Sequence, residues 1–262
     1  MMLLIRALSC LLAASLAATG SAVAEPTLYR GEYSLSFLGF TIARADFDSR
    51  IDEKSYAIDG SVSSAGLGAI FDDTKGRVSA AGRFAGNSVR PASFHANYVS
   101  GKKASIVDIR FSDGKVTKTT NVPPLKKRGK DWVPLGPDDL KTVADPLTAM
   151  LVRADSLQEV CSGSIKMFDS ELRADLSLSY VATGKASVKG YQGQTVTCRL
   201  RFKPVSGYRK GKRALDFLRT KSRMMVAFAP LGKTGVYAPI YATVGTEIGT
   251  LTIRARRFEA LQ

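Results

Sequence analysis

The stretch Ser105-Ile106-Val107-Asp108-Ile109-Arg110-Phe111-Ser112-Asp113-Gly114-Lys115-Val116-Thr117-Lys118-Thr119 decides the fold class. Two alternating runs flank Asp113-Gly114, a dipeptide that tolerates the positive φ angles of a tight hairpin turn. Period-two alternation puts one face of each run on a core and the other in water, the mark of antiparallel strands. The pattern extends outward from there. Tyr29, Tyr33, Leu35 and Phe37 share one parity until Gly39, and Thr41 to Phe47 resumes it, with Ile42 set against Arg44 and Asp46. Ser55 to Val62 repeats the alternation. Downstream, strands are expected over 163–168, 173–180, 186–191, 195–205, 223–228, 235–244 and 247–258.

Many short strands and few helices predict a mainly β protein. The expected form is a large curled antiparallel sheet, barrel- or spiral-like, with one or two short helices. The strongest helix signal is Asp145-Pro146-Leu147-Thr148-Ala149-Met150-Leu151-Val152-Arg153. There Asp145 supplies an N-cap worth about 1 kcal/mol and Pro146 suits the first helical position. A weaker helical segment is 66–71, with Leu67, Ile70 and Phe71 as its apolar face. Residues 121–138 hold Pro123, Pro124, Pro134 and Pro137 among lysines, which reads as an irregular connection. Alternation recurs on both sides of it. Residues 25–262 are therefore expected to form one β-rich domain, with room for two lobes joined near 121–145.

Residues 1–24 read as a cleaved signal peptide. Arg6 ends a short n-region, 7–18 is apolar or small throughout, and Ala22-Val23-Ala24 gives the cleavage pattern. That apolar run is too short to span a bilayer, and no later stretch approaches the ~20 apolar residues of a transmembrane segment. Cys10 lies inside the apolar run, where lipidation would leave the leader attached. The expected location is periplasmic.

The chain has 262 residues, 38 Lys+Arg against 23 Asp+Glu, and a formal charge of +15, which loss of Arg6 with the leader lowers by one. Cleavage leaves Cys161 and Cys198. An even pair in an oxidising compartment reads as one disulfide, worth about 4 kcal/mol by loop closure. C-x-x-C redox spacing is absent.

Asp145-Pro146-Leu147-Thr148-Ala149, Cys161, Met167-Phe168-Asp169, and the run Cys198-Arg199-Leu200-Arg201-Phe202-Lys203-Pro204-Val205-Ser206-Gly207-Tyr208 occur in that order. This arrangement resembles a broad family of exported bacterial proteins catalogued as domain of unknown function 3108, over most of the mature chain. Its specific parts are the D-P-L-x-A start and the C-x5-P-x2-G-Y run. Where the family usually has F-D-G followed by an Arg pair and Tyr, this chain has Phe168-Asp169-Ser170-Glu171-Leu172-Arg173-Ala174. The resemblance implies a periplasmic β-rich protein with the matching cysteines bridged. It implies no reaction, cofactor or catalytic residue.

Catalytic chemistry finds few residues. His95, the only histidine, lies on the polar face of Ser93-Phe94-His95-Ala96-Asn97, and one histidine cannot build a typical zinc site. No metal or cofactor is expected. Asp72-Asp73 and Asp138-Asp139 are the carboxylate doublets, and such pairs near Gly and Pro commonly shape turns.

Basic residues cluster twice. Lys126, Lys127, Arg128 and Lys130 lie beside Trp132, and Arg209, Lys210, Lys212, Arg213, Arg219, Lys221 and Arg223 stand against Asp216 alone. Export directs these patches to anionic lipid, lipopolysaccharide or peptidoglycan rather than nucleic acid. The expected function is that of a non-enzymatic cell-envelope protein binding an anionic or lipidic component. The alternatives are a lipid or hydrophobic-ligand carrier with an internal cavity, and a carboxylate-dependent envelope hydrolase.

Overall fold

Asp113 and Gly114 carry φ angles of 50° and 73°, and the flanking strands pair with Ser112 opposite Lys115 and Ile106 opposite Val122. Hairpins of this kind build most of the computed structural model, which describes residues 26–71 and 73–261. The first half runs β1 (Thr27–Phe37), β2 (Phe40–Ile51), β3 (Ser55–Ser64), α1 (Gly68–Phe71), β4 (Thr74–Ala85), β5 (Ser88–Ser100), β6 (Lys103–Ser112) and β7 (Lys115–Val122). The connection adds β8 (Trp132–Val133) and β9 (Val143–Ala144). A 3₁₀ turn (Thr148–Met150), β10 (Val152–Arg153), a second 3₁₀ turn (Glu159–Ser162) and β11 (Ser164–Phe168) follow. Then come β12 (Arg173–Val188), β13 (Tyr191–Ser206), β14 (Tyr208–Arg209) and α2 (Arg213–Thr220). The last strands are β15 (Met224–Pro230), β16 (Val236–Thr246) and β17 (Gly249–Leu261).

One 15-stranded sheet has the order β7-β6-β5-β4-β3-β2-β1-β17-β16-β15-β13-β12-β11-β9, with β10 attached to β16. β1 joins the two halves, since Leu35 faces Ala43 of β2 on one side and Ile253 of β17 on the other. The outer edges nearly meet. Lys115 bridges Lys141 just ahead of β9, and the Val116 N–H donates to the Leu140 carbonyl at 3.1 Å. The sheet is thus a nearly closed barrel, as the strand pattern predicts, and closure hides edges that would otherwise invite pairing.

Antiparallel order sorts the turns to two ends. The turns at 52–54, 86–87, 113–114, 189–190 and 231–235 share the lower end; those at 38–39, 101–102, 169–172 and 247–248 share the upper end with α1 and α2. Core residues concentrate low: Ile51, Tyr56, Phe84, Val236 and Phe258 are all buried. The tip of the β12–β13 hairpin folds over this end. There the Phe258 N–H donates to the Lys189 carbonyl at 2.9 Å, and Tyr191 meets Phe258 edge to face at 5.6 Å. Toward the upper end of the same strands, Leu35, Val62, Val244, Leu251 and Ile253 are only half-buried.

The helix expected over 145–153 is reduced to the single 3₁₀ turn 148–150. Leu151 turns extended (φ −89°, ψ 130°), and the chain leaves the turn to pair Val152 with Tyr237 of β16. The weaker segment at 66–71 does form one turn, α1. The expected strand 173–180 runs on to Val188 as β12, with a bulge at Tyr180/Ala182. The strand expected over 186–191 is broken by the hairpin turn at Lys189-Gly190, where Gly190 takes φ 82° and Tyr191 opens β13. Helix α2 was not expected from the sequence; it lies beside β13 and β16, with Leu215, Phe217 and Leu218 half-buried. Cys161 and Cys198 are joined, with Cα atoms 5.4 Å apart, tying the second 3₁₀ turn to β13.

Candidate functional site: an apolar lumen divided by a buried strap

The segment 143–154 crosses the barrel interior as a strap. Its first strand, β9, pairs with β11; its centre reaches β3; its last strand, β10, pairs with β16. Asp145 organises it. One carboxylate oxygen, Oδ1, accepts from the N–H groups of Leu147 (3.0 Å) and Thr148 (2.9 Å), and Oδ2 accepts from the Thr148 hydroxyl (2.6 Å). Because Thr148 gives its only proton to Asp145, the Tyr56 hydroxyl must be the donor across the 2.9 Å contact to Thr148 Oγ1. Asp145 and Thr148 are both fully buried. Burial pushes the Asp145 carboxyl above its ordinary range against the opposing pull of these hydrogen bonds, and it raises the Tyr56 phenol as well.

Two cavities flank the strap. The first, about 310 Å³, is walled by inward-facing residues of β1–β3 and β15–β17, among them Tyr33, Ala45, Phe47, Ala242 and Ile253. The second, about 290 Å³, lies against Leu176, Leu178, Leu200 and Phe228. Met150, Leu151 and Val226 face both. The walls of the first are almost wholly apolar because its polar groups are already engaged. Tyr33 donates its hydroxyl to the Pro239 carbonyl at 2.9 Å, and Tyr29 donates to the Leu231 carbonyl at 2.8 Å. Arg30, at its edge, is held by Asp48 at 2.8 Å. Apolar surface of this kind, with hydroxyls turned away, suits a hydrocarbon ligand. Alternation of the strands predicts an apolar inner face but not that side chains leave it incompletely filled.

The two basic clusters are brought together. β8 and β14 form a small separate ladder in which Tyr208 faces Val133 and Arg209 faces Trp132. Arg209 pairs with Asp131 at 3.1 Å. Arg128 stacks 4.1 Å over the Trp132 ring and pairs with Glu171. Arg213 reaches Glu247 at 3.7 Å and Arg219 reaches Asp216 at 3.2 Å. Lys126, Lys127, Lys130, Lys210, Lys212, Lys221 and Arg223 are exposed.

The remaining candidates are dispersed. His95 lies on the outer face, its Nδ1 2.8 Å from Asp108. Asp138 turns to Lys141 at 2.6 Å, whereas Asp139 accepts from the Ser206 hydroxyl and the Gly136 N–H, each at 2.6 Å, which holds its carboxyl below the ordinary range. Asp73 pairs with Lys75 at 3.4 Å, while Asp72 and the signal peptide expected over 1–24 lie outside the described residues.

The quoted motifs have structural roles. Gly207 sits at φ 74°, and a Cβ there would strike the Glu171 carbonyl. Pro204 faces Ala174 beside a bulge in β13 at Val205, beyond the reach of β15, so its missing N–H leaves no partner wanting. Ser170 stands at φ 95°, conformational territory that favours glycine, and its hydroxyl donates to the Asn121 side-chain oxygen at 2.8 Å.

No curated protein matches the chain. Its fold is similar to that of a β-barrel-like protein of domain of unknown function DUF1849 from Brucella abortus, with a TM-score of 0.52 at 10% identity, over 91% of this chain and 98% of that one. The hypothetical protein CT021 from Chlamydia trachomatis aligns with a TM-score of 0.29 at 10% identity, over 88% and 89% of the two chains. The model of the protein family of unknown function DUF3108 matches residues 32–256, and the chain belongs to that family.

Proposed function

We propose that this protein is a non-enzymatic component of the bacterial cell envelope that holds an apolar ligand, a lipid acyl chain, in the barrel lumen. The observation that carries this reading is the 310 Å³ cavity walled by half-buried and buried apolar side chains. Protein interiors are normally close-packed, so an apolar space of this size is suited to a guest. The lower end is sealed by Tyr56, Phe84 and Phe258 under the β12–β13 tip. Half-buried Leu35, Val62 and Ile253 line the cavity toward the upper end, where the packing is looser. The leader pattern at 1–24 and the Cys161–Cys198 disulfide support an exported location, where lipids are the abundant hydrocarbon source.

The test is displacement of a fluorescent fatty acid from the mature chain. Saturable binding is expected, and Ala45→Phe, which builds a ring into the cavity wall, should weaken it while the fold persists by circular dichroism. Absence of any saturable binding would refute the proposal.

A further inference from the structure

The upper end carries apolar side chains that no described segment covers. Leu38 and Phe40, at the β1–β2 turn, are 63% and 60% exposed, and Ile248, at the β16–β17 turn, is 78% exposed. The two turns touch, for a Cβ on Gly249 would lie 2.7 Å from Leu38 Cδ2. Leu67 joins them, because the neighbouring Ala65 N–H donates to the Ile42 carbonyl at 3.0 Å. Single exposed apolar residues are ordinary, but a set contributed by three adjacent turns points to a partner.

A cationic border runs beside this patch. Helix α2 is fastened to the same hairpin: the Ser222 hydroxyl donates to the Gly245 carbonyl at 2.7 Å, and Arg213 reaches Glu247 at 3.7 Å. Lys210, Lys212, Lys221 and Arg223 have no carboxylate within ion-pair distance among the described residues. The β8–β14 ladder continues the border to Lys126, Lys127 and Lys130.

We propose that this rim docks on an anionic phospholipid bilayer, with Leu38, Phe40 and Ile248 entering the headgroup region and the border facing lipid phosphates. The pairing fits the physics of interfacial binding, where modest apolar insertion and basic charge reinforce each other. A second copy is the poorer partner, because self-association through this face would oppose two cationic borders. The docking surface lies outside the cavity, so it stands or falls apart from the lumen reading.

The test is co-sedimentation of the mature chain with phosphatidylcholine vesicles, with and without phosphatidylglycerol. Binding to the anionic vesicles that weakens with salt is expected. Phe40→Ser/Ile248→Ser should reduce it by about tenfold or more at unchanged thermal midpoint, and Lys210→Gln/Lys212→Gln/Lys221→Gln should do likewise and flatten the salt dependence. Lys54→Gln/Lys189→Gln/Lys233→Gln, which removes as much charge from the lower end, should leave binding intact. No binding to anionic vesicles, equal loss in the lower-end variant, or a dimer dissolved by Phe40→Ser would each overturn the proposal.

Discussion

Tyr56 and Thr148 meet 2.9 Å apart inside the barrel, the β3 phenol donating to a hydroxyl whose own proton is committed to Asp145. This chain fastens the centre of the strap to β3, between the strand pairings at its two ends. Tyr56→Phe removes the donor alone and should cost about 1 kcal/mol, whereas Asp145→Ala strands two N–H groups and a hydroxyl and should cost about 3 kcal/mol or more. Urea denaturation of the two variants checks the order; equal losses would show that the strap is not anchored through Asp145.

Asp145 also sets a pH dependence. Its folded pKa is raised by burial, so in the window from the ordinary Asp value upward the folded state binds more protons than the unfolded one. Stability from this group is therefore present at low pH and lost as pH rises through that window. Asp139, held low chiefly by Ser206, has the opposite sign and loses its contribution as pH falls. The stability difference between wild type and Asp145→Asn should shrink with rising pH. A difference that grows with pH would contradict the assignment.

The Cys161–Cys198 bond closes a separation of 37 residues, from the exit of the strap to β13. Loop closure of that size corresponds to about 4 kcal/mol in the chain-entropy model. The double Cys→Ser variant should melt well below wild type, and adding a reductant to the variant should shift nothing further.

Gly207 and Ser170 occupy one corner of the upper end. Gly207→Ala would drive a methyl into the Glu171 carbonyl at a left-handed φ of 74°, and it should prevent stable folding. Ser170→Gly should be tolerated, relief at φ 95° offsetting the lost bond to Asn121. Expression level and thermal midpoint distinguish them.

Much of the barrel was legible because its strands are half-buried. Alternation marks β1, β2, β3, β6 and β7, and Asp113-Gly114 marks their last hairpin, since one face of each strand meets the core. β4 escapes this reading, its inward positions being Val78, Ala80, Gly82 and Phe84, two of them too small to mark a period. The same rule hid part of β12: residues around Tyr180 and Val181 are exposed, 53% and 44%, so no inner face imposed a period there. Asp145-Pro146 carried a true capping signal, but a cap does not set helix length, and the pull of β16 on Val152 ends the turn. Helix α2 has no capping side chain at Lys212 and only Leu215, Phe217 and Leu218 as apolar contacts, too few for a period. The basic clusters were visible as residues, while their joining through Arg209 and Trp132 depends on a two-residue ladder that no local pattern announces.

The central claim is that the lumen holds a lipid. Native mass spectrometry of the mature chain recovered from a bacterial envelope fraction measures this most directly. The account predicts a mass increment that dissociates as a lipid species and is diminished in Ala45→Phe. A spectrum showing only the bare disulfide-bonded chain, with wild type and variant alike, would contradict it.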